Sequence, residues 1–127
     1  MSYAYHITNA VSDIAQSKKF YHEMFRLLEW KLKYEDAESL AYTDGQFDFW
    51  ILPADKKEPI RRTDGTGFNH LAFRVDSKEK VDEIYRWLLG TEAKIDIEPT
   101  AYPHYAENYY AVFFFDRDGT RLEIVYR

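Results

Sequence analysis

Three side chains of the kinds that bind divalent metals lie at related places in the sequence. His6 stands near the start of the apolar segment 5–11, and His70 stands at the matching place of the segment 69–75. Glu123 interrupts the last apolar segment of the chain. Two imidazoles and one carboxylate on three different strands form a ligand set that suits a divalent metal ion. We therefore predict a metal site made by His6, His70 and Glu123.

Taken singly, each of these residues also has an ordinary explanation. A histidine on a strand is more often a surface or hydrogen-bonded side chain than a ligand, and Glu123 alone would pass for a solvated residue on a half-exposed strand. The chain has only four histidines. Two of them at equivalent strand positions, with a carboxylate on the final strand, favour the metal site.

The first half of the chain is predicted to run strand, helix, strand, strand, strand. A strand over 3–11 ends at Ser12 and Asp13, either of which suits a helix N-cap. Apolar residues at helical spacing follow, namely Ile14, Phe20, Tyr21, Met24, Phe25 and Leu28. Strands are then predicted over 30–34, 40–43 and 47–52, with the Asp44-Gly45 pair as a hairpin signal.

The second half repeats this order after a charged segment over 53–67 that contains two prolines and two glycines. A strand is predicted over 68–75, a helix from Asp76 or Ser77 to Gly90, and strands over 94–97, 109–115 and 120–126. We therefore expect one domain over 1–127, with a first module at about 3–53, a linker at about 54–66 and a second module at about 67–127.

The segment 98–108 is the irregular part of the second half, with two prolines, His104 and two tyrosines, and a third tyrosine, Tyr109, follows it directly. Binding residues are often carried on loops over a rigid scaffold. The segment is therefore a candidate lid, and a surface crossover with incidental aromatic residues is an equally good interpretation.

Alternation along the strands places the three predicted ligands on the face of the sheet that points away from the helices. Leu122, Ile124 and Tyr126 are predicted to cover a helix, as are Tyr5 and Ile7. The residues predicted to face the other way are His6, Thr8, Ala10, His70, Ala72, Arg74, Arg121, Glu123 and Val125. The three polar residues can thus share one concave surface if the sheet curves.

Composition narrows the functional classes. The 127 residues are 46% hydrophobic and 18% aromatic, with 11 Tyr, 9 Phe and 3 Trp, which argues against disorder. The aromatic residues suit a lined cavity, or simply aromatic strands in a sheet core. A net charge of −5 disfavours non-specific nucleic-acid binding. The absence of cysteine excludes disulfides and thiolate metal sites.

No segment is apolar for long enough to cross a membrane, and no signal peptide is recognised, so a cytoplasmic location is expected.

The closing segment 109–124 carries the most specific motif. Asp116-Arg117-Asp118-Gly119, followed by Leu122-Glu123, resembles the "aspartate-proline-aspartate-glycine, then leucine-glutamate" ending of the vicinal oxygen chelate superfamily, with Arg117 where proline is usual. That superfamily includes glyoxalase I, bleomycin-resistance proteins, fosfomycin-resistance enzymes and extradiol dioxygenases. The resemblance covers the whole chain. It implies an α+β fold of two βαβββ modules that form a curved, cup-shaped mixed sheet with helices on the outer face, often in a homodimer.

By this resemblance, His6, His70 and Glu123 occupy three of the four positions from which the superfamily takes metal ligands. The fourth falls on Trp50 when the apolar segments are matched, or on Phe49 when residues are counted from the Asp-Gly turns. Neither is a carboxylate, which disfavours a glutathione-dependent glyoxalase. The remaining set resembles the three ligands of extradiol dioxygenases and fosfomycin-resistance enzymes, although the chain is half as long as typical two-domain extradiol enzymes.

The ion, which is Fe, Mn, Ni, Co, Zn or Mg, would act as a Lewis acid on a substrate that offers two oxygens. Because ligation needs neutral imidazole, occupancy should fall below about pH 6. Besides Glu123, two further residues are candidates for the catalytic site. Thr8 either reaches the substrate or is an ordinary strand threonine, and Asp48 is a candidate base. The predicted substrate wall is formed by Trp50 together with residues drawn from Tyr102, His104, Tyr105, Tyr109 and Tyr110. Arg74 and Arg121 either bind an anionic group there or pair with acidic residues at the rim.

Two functional hypotheses follow. The first is a metal-dependent small-molecule enzyme, namely a lyase, isomerase, transferase or oxygenase. The second is a metal-free binding protein of bleomycin-resistance type that sequesters an aromatic or cationic small molecule. Retention of all three ligand residues favours the first. In both cases we expect a small-molecule partner, a homodimer, and no binding to nucleic acid or membrane.

Overall fold

The computed structural model of the protein describes residues 1–58 and 64–127. The chain forms two compact units, Met1–Glu58 (unit 1) and Pro59–Arg127 (unit 2). Each unit has the order strand, helix, strand, strand, strand, which confirms the predicted α+β fold of two βαβββ modules. Residues 59–63 of the predicted linker lie outside the described residues.

Unit 1 consists of β1 (His6–Val11), α1 (Ile14–Leu27), β2 (Lys31–Glu35), β3 (Leu40–Thr43) and β4 (Asp48–Pro53). Its sheet has the order β1-β4-β3-β2, with β1 parallel to β4 and the other neighbours antiparallel. β1 begins three residues later than predicted. Tyr5 therefore precedes the strand and is 65% exposed, so the prediction that it faces the helix is wrong.

Helix α1 begins after Asp13, whose Oδ1 accepts a hydrogen bond from the backbone N–H of Gln16 at 3.1 Å. Asp13 is thus the N-cap of the two candidates. The buried face of α1 packs on β3 and β4. The Phe25 ring stacks on Tyr42, with centroids 4.6 Å apart, and lies 5.3 Å from Phe49. Much of the aromatic content of unit 1 is therefore ordinary core.

The C-terminus of α1 carries a residue in a conformation that favours glycine. Glu29 has φ +63°, and the backbone N–H groups of Glu29 and Trp30 donate to the carbonyls of Arg26 and Phe25 at 3.1 and 2.9 Å. This hydrogen-bond pair is the Schellman motif, in which the left-handed position is usually glycine.

We expect Glu29→Gly to raise the free energy of unfolding by about 1 kcal/mol, because glycine adopts φ > 0 without a Cβ penalty. Urea unfolding measures the change. Glu29→Ala is the matched control, since it removes the charge but keeps the Cβ. Equal stabilisation by the two variants would show that the negative charge at the helix C-terminus, and not the backbone conformation, is responsible.

Unit 2 consists of β5 (Leu71–Val75), α2 (Lys78–Leu88), β6 (Lys94–Ala101), β7 (Tyr110–Phe115) and β8 (Arg121–Tyr126). Its sheet has the order β5-β8-β7-β6, with β5 parallel to β8. Of the two candidate caps for α2, Ser77 is the N-cap: its Oγ accepts from the backbone N–H of Lys80 at 3.1 Å. The Asp118-Gly119 turn, in which Gly119 has φ +88°, joins β7 to β8 as predicted.

Strand β6 is longer than predicted. The sequence indicated an irregular segment from residue 98, but Thr100 and Ala101 pair with Ala111 and Tyr110 of β7. The register shifts twice between Ile95 and Thr100, which allows an edge strand to continue past Pro99. The connection between β6 and β7 is thereby shortened to 102–109.

In the described part of the chain, no helix is long and apolar enough to cross a membrane.

Candidate functional site

Two of the predicted ligands are in direct contact in unit 2. His70 lies just before β5, and Glu123 lies on the neighbouring parallel strand β8, where it is the register partner of Ala72. The Nε2 atom of His70 is 2.8 Å from Oε1 of Glu123. The Glu123 side chain is 2% exposed, whereas 30% of the His70 side chain is accessible. A buried carboxylate and an accessible imidazole therefore meet at one point.

The second oxygen of Glu123 is also occupied. Tyr109 directly precedes β7, and its hydroxyl donates a hydrogen bond to Oε2 of Glu123 at 2.5 Å. Burial raises the pKa of the Tyr109 phenol, and its hydrogen bond to Glu123 raises it further. The phenol consequently stays protonated at neutral pH and remains a donor. Glu123 is thus held in one orientation by contacts at both oxygens.

The other ring nitrogen of His70 faces an oxygen as well. Nδ1 of His70 is 2.8 Å from Oδ1 of Asn69, and Nη1 of Arg121 donates to that same Oδ1 at 3.0 Å. Arg121 has only N–H donors, so it identifies the Asn69 atom as the oxygen. The ring of His70 therefore lies between two acceptor oxygens, Oδ1 of Asn69 at Nδ1 and Oε1 of Glu123 at Nε2. A neutral imidazole carries a single N–H and can donate to only one of them. With that proton on Nδ1, a proton or a metal ion at Nε2 would neutralise the contact with Glu123.

Arg121 is itself fixed in place. Its Nε and Nη2 atoms donate to Oδ2 of Asp96 on β6 at 2.9 and 2.7 Å, and its guanidinium carbon lies 4.5 Å from the centroid of Phe113. Of the two alternatives considered for Arg121, the structure shows pairing with an acidic residue. Most of its donor capacity is used within unit 2.

These residues open onto a pocket of about 340 Å³ in unit 2, referred to below as the aromatic pocket. It is lined by Asn69, His70, Ile97, Tyr102, Tyr105, Tyr109, Phe113, Arg121 and Glu123. The rings of Tyr102 and Tyr105 stack at 5.0 Å with 9° between their planes. Four candidate substrate-binding residues, Tyr102, Tyr105, Tyr109 and Arg121, thus border one cavity whose polar end is the His70–Glu123 pair.

Three other predicted pocket residues lie elsewhere. His104 packs on Tyr105 with ring centroids 4.4 Å apart but does not line the aromatic pocket. Arg74 donates from Nη2 to the carbonyl oxygen of Arg127 at 2.7 Å. Tyr110, one of the candidates for the wall, does not line this pocket, and its hydroxyl donates to Asp82 of α2 at 2.7 Å. Tyr109 precedes β7 and lines the pocket, whereas Tyr110 is the first residue of β7 and contacts α2.

The remaining predicted site residues belong to unit 1. His6 is exposed at the first position of β1, where its ring meets Tyr5 edge-on at 5.2 Å. Thr8 is exposed on the same strand, and Trp50 of β4 is its register partner and packs on Tyr34 at 5.6 Å. Among residues 1–58 and 64–127, no group of three or more His, Cys, Asp or Glu that could hold a metal ion is found. The convergence of His6 with His70 and Glu123 stays a prediction.

The strand registers decide which residue of unit 1 corresponds to Glu123. On β1 and β4, Thr8 pairs with Trp50, and on β5 and β8, Ala72 pairs with Glu123. Thr8 and Ala72 each follow their histidine by two residues. Trp50 is therefore the equivalent of Glu123. Phe49 is 1% exposed and packs against Phe25 of α1.

Asp48 is buried, but it has a partner. Its side chain is 4% exposed, and its Oδ2 accepts from Nζ of Lys33 on β2 at 2.5 Å. This hydrogen bond and a second one from Thr43 hold the pKa of Asp48 below its ordinary value. A carboxylate with a lowered pKa is a weaker base, so the geometry favours a structural ion pair over the predicted role in proton transfer.

We expect Lys33→Met to lower the stability at neutral pH, because it leaves the buried Asp48 carboxylate without its cation. The pKa of Asp48 is lower in the folded than in the unfolded protein, so the pair stabilises above about pH 4 and this contribution disappears as the pH falls through the folded value. Thermal unfolding between neutral and acidic pH measures the difference between wild type and variant. Lys31→Met, on the same strand, is the control, and a pH-independent difference would contradict the assignment.

Comparison with known proteins identifies the family. The sequence model of the Glyoxalase/Bleomycin resistance protein/Dioxygenase superfamily matches residues 4–124. The chain belongs to this superfamily. The match spans both units, and it confirms the resemblance suggested by the closing motif.

Three similar proteins illustrate the range of this superfamily. An uncharacterised Bacillus subtilis protein, YqjT, is 29% identical over 126 residues, which cover 95% of this chain and 96% of that protein. The metallothiol transferase FosB of Staphylococcus saprophyticus is 26% identical over 119 residues, covering 94% of this chain and 73% of FosB. A solved glyoxalase/bleomycin resistance protein from Albidiferax ferrireducens shares the fold with a TM-score of 0.80 at 21% identity, covering 97% and 98% of the two chains.

Sequence reasoning missed residues that line this superfamily member's pocket, including Phe113 and Asn69, and the residue that holds Arg121, Asp96. Phe113 is the register partner of Glu123, so alternation along β7 would have found it. Asn69 directly precedes His70, and its amide was an available signal. Asp96 gave no such signal, because it lies 25 residues before Arg121 on a strand whose register shifts beside it.

Proposed function

We propose that the protein is a metal-dependent enzyme acting on a small molecule, with His70 and Glu123 as two ligands of a divalent ion. One observation carries this proposal. His70 Nε2 lies 2.8 Å from the buried Oε1 of Glu123, while Nδ1 faces the oxygen of Asn69. A cation at Nε2 satisfies this arrangement, and an imidazole nitrogen beside a carboxylate oxygen is a common pair of metal ligands.

His6 is the proposed third ligand. Its support is the repeat, which gives His6 and His70 matching places at the starts of two equivalent pairs of parallel strands. The third ligand comes from the same chain or from the partner in a homodimer. A site with two nitrogens and one oxygen suits Fe, Mn, Ni, Co, Zn or Mg to different degrees.

The bound ion would supply Lewis acidity toward a substrate with two neighbouring oxygens. The protein's own contribution is to hold this substrate. Tyr109 keeps the Glu123 carboxylate oriented, and the rings of Tyr102, Tyr105 and Phe113 form an apolar wall beside it. Thr8 and Trp50 are proposed as further contacts from unit 1. Among lyase, isomerase, transferase and oxygenase reactions, thiol transfer is the first to assay, because FosB is named a metallothiol transferase.

Metal analysis tests this function directly. Protein purified without chelator or affinity tag should contain about one divalent ion per chain, or take it up from Mn²⁺, Ni²⁺, Fe²⁺ or Zn²⁺. Oxygen-chelating substrates are then screened with and without air. Absence of binding for every one of these ions would contradict the proposed enzyme.

We expect His6→Ala to weaken metal binding by more than about tenfold, since loss of even an outer-shell partner costs roughly that much. Calorimetric titration with Mn²⁺ or Zn²⁺ measures the affinity. His22→Ala is the matched control, because His22 lies on α1 and bonds the Tyr42 hydroxyl. Unchanged affinity in His6→Ala would remove His6 from the ligand set and leave the His70–Glu123 pair.

A metal-free binding protein is the second candidate, and the aromatic pocket favours it independently. Tyr102, Tyr105, Tyr109 and Phe113 line the pocket that the buried Glu123 also borders, while the charge of Arg121 is paired with Asp96. Aromatic faces near a carboxylate suit an aromatic or cationic ligand. Micromolar binding of an aromatic cation by chelator-treated protein, together with no metal uptake, would favour this reading. The cytoplasmic location and the homodimer stay predictions from the sequence.

A further inference from the structure

We infer that Asn69 is a positioning residue that selects the neutral Nδ1–H tautomer of His70, the tautomer whose Nε2 can bind a metal. The inference rests on the proposed function only in taking a metal ion as the ligand of Nε2. Its basis is the hydrogen bond between His70 Nδ1 and Asn69 Oδ1, 2.8 Å long, at the polar end of the aromatic pocket.

The Asn69 side chain presents its oxygen, not its nitrogen, because Arg121 is on its other side. Nη1 of Arg121 donates to Oδ1 at 3.0 Å and also lies 3.5 Å from Nδ1 of His70. An amide flipped by 180° would direct its N–H₂ group at the guanidinium, donor against donor. The orientation of Asn69 therefore follows from the position of Arg121.

Arg121 in turn has little freedom to move. Two of its nitrogens donate to Asp96 Oδ2, its plane lies over the Phe113 ring, and its side chain is 14% exposed. Asp96, Arg121 and Asn69 thus form a chain of contacts from β6 across the sheet to His70. Such outer-shell contacts orient metal-binding histidines and raise their basicity.

The consequence for His70 is chemical. With its proton on Nδ1, donated to Asn69, the imidazole presents the lone pair of Nε2 beside Glu123 Oε1. That is the form in which Nε2 binds a metal. In unit 1 the residue before His6 is Tyr5, whose ring contacts the imidazole edge-on. The two histidines are therefore held by different kinds of neighbour.

The first test needs no metal. In Glu123→Ala protein the carboxylate that competes for the ring proton is absent, and long-range ¹H–¹⁵N spectra at about pH 9, well above the usual histidine pKa, report the neutral form. We expect His70 to carry its proton on Nδ1, and to revert to the Nε2–H form that free histidine prefers when Asn69→Ala is added. An Nε2–H form in Glu123→Ala alone, or no change on adding Asn69→Ala, would overturn the inference. Glu123→Met, which also removes both oxygens, replaces Glu123→Ala if the latter does not fold.

The second test uses the metal alone. Asn69→Ala should bind Zn²⁺ or Mn²⁺ roughly 10- to 100-fold more weakly than wild type, whereas Asn69→Asp, which keeps an oxygen acceptor, should bind nearly as tightly as wild type. Equal affinities of Asn69→Ala and wild type would overturn the role of Asn69 in ligation. If wild-type protein binds no metal while the spectra behave as expected, the proposed function fails and the positioning of His70 by Asn69 stands.

Discussion

Replacing His70 by alanine is expected to reduce the affinity for divalent metals by more than about 100-fold, because removing a ligand should exceed the roughly 10- to 100-fold cost of losing an outer-shell partner. The variant also leaves Oε1 of the buried Glu123 without the contact that it makes at 2.8 Å. Calorimetry with Mn²⁺ and Zn²⁺, compared with metal content after purification, measures the effect.

The controls for His70→Ala separate ligation from general damage. His22→Ala removes a histidine that bonds Tyr42 in unit 1 and should retain wild-type affinity. Tyr109→Phe keeps the ring but removes the hydroxyl that donates to Glu123 Oε2, and it should weaken binding less than His70→Ala. A His70→Ala protein that binds metal as tightly as wild type would refute the proposed site, whatever its enzymatic activity.

Replacing Phe25 by alanine is expected to lower the free energy of unfolding by about 3–5 kcal/mol, the usual cost of deleting a buried phenylalanine ring. Phe25 has no exposed surface, and its ring lies 4.6–5.3 Å from those of Tyr42, Trp30 and Phe49. Since small proteins are stable by only about 5–15 kcal/mol, this loss is a large part of the total. Urea unfolding followed by tryptophan fluorescence measures it.

Two further variants show whether Phe25 is the core residue that its burial indicates. Phe25→Leu keeps most of the apolar volume and should cost less than Phe25→Ala. Phe68→Ala removes a ring that is 82% exposed and should change stability by no more than about 0.5 kcal/mol. A Phe25→Ala protein as stable as Phe68→Ala would contradict the packing of α1 on β3 and β4, which supports the strand bearing Asp48 and Trp50.

Local patterns in the sequence were sufficient for the order of elements. Apolar spacing of three to four residues marked both helices, alternation marked the strands, and the Asp-Gly pairs marked the turns at Gly45 and Gly119, both with positive φ. Each of these signals depends on residues a few positions apart, as do the caps at Asp13 and Ser77. The boundaries were less certain, because bulges such as those of β6 depend on the partner strand.

The candidate site was only partly within reach of such patterns. Alternation on β8 placed Glu123 on the face opposite Leu122 and Ile124. The contact between Glu123 and His70 agrees with this, because the sequence predicted that both residues face the same way. The sequence left Trp50 and Phe49 as alternatives for the position equivalent to Glu123. The decision came from the pairing of Thr8 with Trp50, a register that no single strand specifies.

By itself, the sequence determined the class of fold, the superfamily, and the residue types available for metal chemistry. Tertiary structure alone decided that Tyr109 and not Tyr110 faces Glu123, that Arg121 is paired with Asp96, and that Asn69 turns its oxygen toward His70. The physical reason is the range of the interactions. Face and period are encoded between near neighbours, whereas these contacts join residues 14 to 52 positions apart, and their partners are set by strand register and by competition for hydrogen bonds.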